Sequence, residues 1–266
     1  MKNLPKLLPN VLALSLVFRL QGWVKTFLPF GKGPLLCLLL LLCLWAKVSA
    51  EELVLKYKIS WLGITAGKIK LVIKKEGNLT RLQAKSKTVG MVKIFFPFKS
   101  EWTTWINKDG YPVKSRIWRK RRGKELLKEY FYNQEKGEVI RLKKGKKSIY
   151  KLNHFPVHDE LSAFYATMKL NLTRLGEEHI FWVFAHKKAN KAFLRYLKDE
   201  KINTVCGPLE AQKLEVKFGF ESELIKRSKK AYLWKSRNFI VKSQGELAIG
   251  HVTGKLTNLN CQEVKP

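Results

Sequence analysis

Along most of the chain apolar and polar residues alternate one for one, the mark of strands that bury one face and wet the other. The run Leu53-Val54-Leu55-Lys56-Tyr57-Lys58-Ile59-Ser60-Trp61 predicts a strand over 53–61. The pattern resumes over 66–74 after a turn at Leu62-Gly63-Ile64-Thr65, so the two form a hairpin. Glu76-Gly77-Asn78 makes the next turn, a third strand covers 79–89, and a fourth covers 101–106 before the turn signal Asn107-Lys108-Asp109-Gly110. Further strands are predicted at 113–119, 125–133, 138–143 and 148–152, separated by turns at Arg122-Gly123, Lys136-Gly137 and Lys144-Gly145-Lys146. One segment breaks the rhythm. From Asp159 on, Leu161, Phe164, Tyr165, Met168 and Leu172 recur at helical spacing, with Asp159 as the N-cap after Pro156. Strand patterning returns at 179–185, 193–201, 212–220, 230–234, 238–241 and 246–256. Short strands joined by short turns suit an antiparallel sheet rather than βαβ units. The fold class read from this is mainly β: a single-domain antiparallel β-roll or barrel-like curved sheet with one central amphipathic helix.

The first fifty residues do not share the pattern. Leu35 to Trp45 is an unbroken apolar run, preceded by Lys32 and followed by Val48-Ser49-Ala50 ahead of Glu51-Glu52. This reads as a signal peptide over 1–50 cleaved after Ala50, the apolar run being about half of the ~20 residues that a membrane span needs. Its n-region, Met1 to Gly33, is unusually long, as a start codon assigned too far upstream would make it; an uncleaved leader anchoring the chain in the inner membrane is the rival. Leu precedes both Cys37 and Cys43, where a lipid-attachment site wants a small residue. The expected location is the periplasm or cell envelope of a bacterium, with residues 51–266 as one exported β domain.

Charge changes the picture next. The 266 residues carry 52 Lys+Arg against 21 Asp+Glu, a formal net charge of +31. The leader holds six of the basic residues (Lys2, Lys6, Arg19, Lys25, Lys32, Lys47) and no acidic one, so residues 51–266 still carry +25. At 45% hydrophobic and 12% aromatic the chain is no disordered basic tail, which would lack the apolar area to offset chain entropy. Four cysteines without ligand spacing exclude a zinc module, and no phosphate-binding glycine loop or nucleophile elbow is present. Cys206 and Cys261 are the cysteines left beyond the leader; in an oxidising compartment they are expected to bridge, two buried free thiols being the other arrangement.

Four blocks, in order, resemble the domain-of-unknown-function 3108 family of exported bacterial proteins across nearly the whole exported stretch. They are Ile59-Ser60-Trp61-Leu62-Gly63-Ile64-Thr65-Ala66-Gly67, Val157-His158-Asp159-Glu160-Leu161-Ser162-Ala163-Phe164-Tyr165, Gly207-Pro208-Leu209-Glu210-Ala211-Gln212-Lys213-Leu214-Glu215-Val216 and Ile249-Gly250-His251-Val252-Thr253-Gly254-Lys255-Leu256. The resemblance implies an antiparallel β-roll or barrel-like spiral and an activity that is not established. One departure is Ala211, where many members carry a cysteine; here Cys206 lies five residues earlier, so no thiol role of the family is carried over. Within the blocks Trp61, Gly63, Gly67, Asp159, Leu161, Ser162 and Tyr165 read as structural: Gly63 supplies a turn conformation, Gly67 a close approach over which Trp61 packs, and Asp159 with Ser162 a helix cap.

Chemistry finds few candidates. His154 and His158 have a metal-ligand spacing on a helix, but Pro156 between them breaks one and no third ligand is evident, so no metal and no cofactor is expected. His158, Asp159 and Ser162 are hydrolase residue types set on a helix start, where a capping turn accounts for them. Glu177-Glu178-His179 reads as a polar turn. Asn78-Leu79-Thr80 and Asn171-Leu172-Thr173 match glycosylation acceptors that a bacterial exported protein does not use. Ile94-Phe95-Phe96-Pro97-Phe98 is held to an edge or loop by Pro97; core packing is expected for its side chains, contact with a lipid chain or a cavity mouth being the alternative.

Binding surfaces are the stronger signal. Lys114, Arg116, Arg119, Lys120, Arg121, Arg122 and Lys124 form one cationic stretch, and Arg141, Lys143 and Lys144, continued by Lys146 and Lys147, a second. If their turns share one end of the sheet they make one basic pole, against a solvated lysine-rich surface as the alternative. The expected partners are envelope lipid head groups, glycans or an envelope protein, with peripheral membrane contact and without nucleic acid. The function expected is a non-enzymatic binding module for an amphiphilic or anionic envelope component. An assembly factor docking on another envelope protein is the second reading, and a hydrolase acting through His158 and Asp159 the least supported.

Overall fold

The computed structural model describes residues 52–220, 230–246 and 250–264. The predicted signal peptide and its cleavage site after Ala50 lie outside the described residues. The first half of the sheet is β1 (Glu52–Trp61), β2 (Ile64–Glu76), β3 (Leu79–Thr88), β4 (Phe98–Ile106), β5 (Pro112–Arg121), β6 (Lys124–Asn133), β7 (Glu138–Lys143) and β8 (Lys146–Lys151). The second half is β9 (Glu178–Ala185), β10 (Lys188–Thr204), β11 (Gly207–Phe218), β12 (Lys230–Ser236), β13 (Phe239–Glu246) and β14 (His251–Leu256). Helix α1 (Gly90–Phe95) joins β3 to β4, α2 (Glu160–Lys169) joins the two halves, and α3 (Cys261–Val264) follows β14.

All fourteen strands form one antiparallel sheet in the order β8-β7-β6-β5-β4-β3-β2-β1-β14-β13-β12-β11-β10-β9. The first described strand, β1, lies mid-sheet; from it the strands meander to the edge at β8, cross through α2 to the opposite edge at β9, and meander back to lay β14 beside β1. The segment between β8 and α2 draws the two edges together. His158 bridges to Val183, its N–H donating to the Trp182 carbonyl at 2.7 Å and its carbonyl accepting from the Phe184 N–H at 2.8 Å. On the other side the Leu152 N–H donates to Gly137 at 2.8 Å, and the Gln134 amide bonds both the N–H and the carbonyl of Val157. A cluster of Tyr132, Val139, Leu152, Val157 and Phe184 fills the seam. This is the barrel-like curved sheet expected.

Alternation decides which face is inside. Leu55 and Tyr57 are buried while Lys56 and Lys58 between and beyond them are exposed, and Leu71, Leu82, Trp102 and Ile117 continue the inner face across β2 to β5. From the other half Leu194, Leu214, Leu233 and Ile240 face the same core, and α2 presents Leu161 and Met168 to it. The helix caps as predicted: the Asp159 carboxylate accepts the Ser162 N–H at 2.7 Å while the Ser162 hydroxyl accepts the Asp159 N–H at 3.0 Å. Leu172, the last member of the predicted stripe, is buried but lies beyond the helix, which ends at Lys169.

Two differences from the sequence reading matter, and the expected disulfide is present. The segment 90–95 is a short helix that the strand rhythm does not announce, and it buries no residue. The β10–β11 hairpin runs to Thr204 and Gly207, longer than the predicted 193–201 and 212–220, because Glu200, Ile202, Leu209 and Ala211 keep pairing beyond the neighbouring strand's end. The disulfide between Cys206 and Cys261 forms, with Cα atoms 5.3 Å apart, and ties the tip of that hairpin to the C-terminal segment.

Candidate functional site

A meander places alternate turns at the same end. The β1–β2 turn at Leu62-Gly63, the β3–β4 connection carrying α1, the β5–β6 turn at Arg122-Gly123 and the β7–β8 turn at Lys144-Gly145 therefore share one pole. The first of these turns needs left-handed backbone at both positions, with φ of 48° at Leu62 and 81° at Gly63, so the glycine there is a conformational requirement.

The β3–β4 connection gives the pole its character. Met91, Ile94, Phe95 and Phe96 are 69%, 75%, 63% and 54% exposed, and Leu62 and Ile64 of the next turn are also exposed. Core packing, expected for Ile94 to Phe96, is therefore corrected: Pro97 keeps the segment out of the ladder, and only Phe98, at the start of β4, turns partly inward. The backbone beneath these side chains is fastened. The Thr88 hydroxyl donates to the Phe96 carbonyl and accepts the Phe98 N–H, each at 3.0 Å, and the Val89 N–H donates to Ala66 at 3.1 Å. The Arg122 N–H donates to the Pro97 carbonyl at 3.3 Å, and its guanidinium lies 6.0 Å from the centre of the Phe96 ring. So the cationic turn and the apolar loop are one surface. Lys93 on α1, Arg121 and Lys124 beside the β5–β6 turn, and Lys144 and Lys146 at the β7–β8 turn are all exposed around it.

The ten cations singled out from the sequence do not all meet there. Lys120, Arg121, Arg122, Lys124, Lys143 and Lys144 lie at the pole, with Lys120 paired to Glu125 at 2.9 Å. Arg119 is on the same face of β5 as buried Ile117, its guanidinium 5.9 Å from the Phe98 ring centre. Lys114 stands further down the wall, 3.7 Å from Glu129 and over the rings of Trp105 and Phe131, and Arg116 is exposed beside it. Arg141 shares a face with buried Val139, donating to Ser148 at 3.3 Å and lying over Tyr150.

The histidine–aspartate–serine group is a buried polar network. One Asp159 carboxylate oxygen accepts from the Thr104 hydroxyl, from the Ser115 hydroxyl at 2.6 Å and from the Trp102 indole at 3.3 Å; the other caps α2. His158 Nδ1 lies 3.3 Å from the Ser162 hydroxyl, which is fully buried and already engaged in the cap. Burial holds the imidazole down from 6.5 to about 4, against the pull of the Asp159 charge, with His179 adding to the depression. His158, Asp159 and Ser162 are all buried, and the bonds of Asp159 fasten the start of α2 to β4 and β5. His154, the other half of the histidine pair, stacks on Trp182 with ring centres 3.9 Å apart. Among the described residues no three His, Cys, Asp or Glu side chains gather as a metal site would require. Trp61 sits at the end of β1 opposite Ile64 and Val252, and Tyr165 is half-buried on α2. At Gly67 the close approach is the Lys87 carbonyl, 3.0 Å from where a Cβ would stand, with Ile59 next.

A cavity of about 70 Å³ lies between Ala163, Phe164 and Thr167 of α2 and the inner faces of β9 to β12. Small-molecule sites are usually ~300–1,000 Å³, several times this volume.

Residues 56–257 match the sequence model of the family described as a protein of unknown function, DUF3108. No curated protein matches the chain. Among solved structures, a β-barrel-like protein of the domain of unknown function DUF1849 from Brucella abortus is similar, at 11% identity and a TM-score of 0.49 over 78% of this chain and 95% of that one. A Bacteroides fragilis protein described as having a YmcC-like fold and inferred to be exported is similar at 10% identity and a TM-score of 0.31, over 78% and 94% of the two chains.

Proposed function

The chain belongs to the DUF3108 family, and from that premise we propose that it is a non-enzymatic, exported protein that docks its apolar and cationic pole on an anionic lipid interface. The observation that carries the reading is the pole itself: Ile94, Phe95 and Phe96 held out by a fastened backbone, with Arg121, Arg122, Lys124, Lys144 and Lys146 around them. Exposed aromatic and aliphatic side chains rimmed by cations suit the boundary between acyl chains and anionic head groups, where each nearby Lys or Arg contributes ~1 kcal/mol. The small volume of the cavity beside α2, about 70 Å³, supports a surface mode over enclosure of a ligand there. The export part rests on the apolar leader, Leu35 to Trp45, and its small-residue cleavage site.

Residues 51–266 contain every described strand and both apolar clusters, so this stretch is the material for the test. Flotation with vesicles is expected to recover it on anionic phospholipid and not on neutral phospholipid. Replacing Ile94, Phe95 and Phe96 by Ser together should cut the bound fraction at least tenfold while changing the unfolding free energy by no more than the ~0.5 kcal/mol typical of a surface change at each site. Binding equal on both vesicle types, or unaltered in the triple variant, removes the proposal. A stoichiometric protein partner captured by the wild type without vesicle binding would move the pole to the assembly-factor reading.

A further inference from the structure

Leading away from the pole, the register of the sheet lines up lysines that are far apart in sequence. Lys120 on β5 is paired with Lys99 on β4, Lys99 with Lys87 on β3, and Lys87 with Lys68 on β2. Lys68 is paired with Lys58 on β1, Lys58 with Lys255 on β14, and Lys255 with Lys242 on β13. One row of cross-strand neighbours, one lysine per strand, thus crosses seven strands. With strands ~4.8 Å apart it spans roughly 29 Å. It is also oblique: Lys120 stands one residue from the pole end of β5, and Lys255 one residue from the far end of β14.

Beside the row a shorter one of the same kind pairs Lys56, Lys70 and Lys85 on β1 to β3, while other cations of the wall meet carboxylates. Lys114 faces Glu129, Lys85 faces Glu101, Arg81 faces Glu76 and Lys120 ends the row on Glu125, at 2.7–3.7 Å. Inside the row, like charge faces like charge, an arrangement that destabilises a sheet unless something anionic lies over it. Among the described residues no ion pair is recorded for Lys58, Lys68, Lys87, Lys99 or Lys255, and all five are exposed. At the far end the row enters a cavity of about 220 Å³ between Lys58, Lys242 and Lys255 and the tip of the β10–β11 hairpin, where Asn203 and Thr204 add polar groups. There Lys242 is fixed, its ammonium 3.9 Å from the centre of the Trp234 ring.

We propose that this row is a track for a linear acidic polysaccharide, which lies across the strands from the pole to the hairpin cavity with about one carboxylate per lysine. The geometry selects the class of partner. Adjacent strands rotate by ~20–25°, so a flat bilayer reaches a few of these lysines at once while a flexible chain follows them all. A polymer of uronic acid units advances one pyranose, and one carboxylate, over a distance close to the strand separation; polyphosphate packs its charges more closely. Single-stranded nucleic acid is held by bases stacked on exposed aromatic rings along its path; the exposed rings of Phe95 and Phe96 are confined to the pole, and Trp234, beside the other end of the row, is 2% exposed.

The test uses the full-length protein and polygalacturonate, with affinity measured at about 50 and about 200 mM salt. Wild type is expected to bind and to weaken steeply with salt. Lys58→Gln, Lys68→Gln and Lys87→Gln together should weaken binding at least tenfold. The same charge removed elsewhere, Lys136→Gln, Lys151→Gln and Lys188→Gln, should change it less than twofold. The pole variant Ile94→Ser/Phe95→Ser/Phe96→Ser should bind polygalacturonate as wild type does, which separates this site from the lipid-facing one. No binding, or equal loss in the two lysine variants, overturns the track. Tighter binding of polyphosphate or single-stranded DNA than of polygalacturonate, lost in the row variant, overturns the assignment to a polysaccharide.

Discussion

Asp159 shows how much one residue can carry when it is buried. Its two carboxylate oxygens serve different purposes, one capping α2 and the other collecting donors from Trp102 and Thr104 on β4 and Ser115 on β5. The helix is thereby pinned inside the curved sheet, since a buried carboxylate without these donors is strongly unfavourable. His158 beside it makes the fold sensitive to pH. Its imidazole is held at about 4 in the folded protein against 6.5, so between those values the unfolded chain takes up a proton that the folded chain does not. Stability from this group is complete above pH 6.5 and is lost as pH falls through 4, by up to ~3 kcal/mol. Urea unfolding of wild type and His158→Gln above pH 6.5 and near pH 4 checks this: the variant should lose less stability on acidification, and equal losses would count against it.

At the scale of elements, the β10–β11 hairpin and the α1 loop have opposite fates. The hairpin outruns its neighbour β12, which ends at Ser236, and its free tip would have little to hold it without the bond from Cys206 to Cys261. That bond closes a loop of 55 residues, for which loop entropy gives ~4 kcal/mol as an upper figure. Replacing both cysteines by Ala should lower stability by up to that amount. Hydrogen exchange should then show opening confined first to residues 198–211; an unchanged unfolding midpoint would show that packing alone holds the tip. The α1 loop instead keeps its position through Thr88 and Ala66 while burying no residue of the helix itself.

At the scale of the whole molecule, the sheet closes through side chains and one inserted segment rather than through a continuous ladder. The β8 edge bonds along one side alone, to β7, and reaches β9 by way of Leu152, Val157 and the rings of Tyr130, Tyr132 and Tyr150 around Phe184. The seam should therefore open before the centre of the sheet. Amides of β8 are expected to exchange faster than those of β14, and Phe184→Ala should cost ~3–5 kcal/mol and widen that difference. Protection of β8 equal to that of β14 would contradict this view of closure.

What the sequence determined by itself is what depends on neighbours along the chain. Period-two alternation located the strands, the spacing of Leu161, Phe164, Tyr165 and Met168 located α2, and Asp159 with Ser162 located its cap, because each of these is settled within one turn or one strand. The basic turns were legible too, since a meander needs only the order of its strands to bring alternate turns together. Tertiary structure alone decided the rest. Ile94 to Phe96 look like core in the sequence, since hydrophobicity reports an affinity for burial and not whether space is available. The donors to the second oxygen of Asp159 lie 44 to 57 positions away. The lysine row exists only in the register of seven strands, and a shift of one residue in any pairing would turn its lysine to the other face.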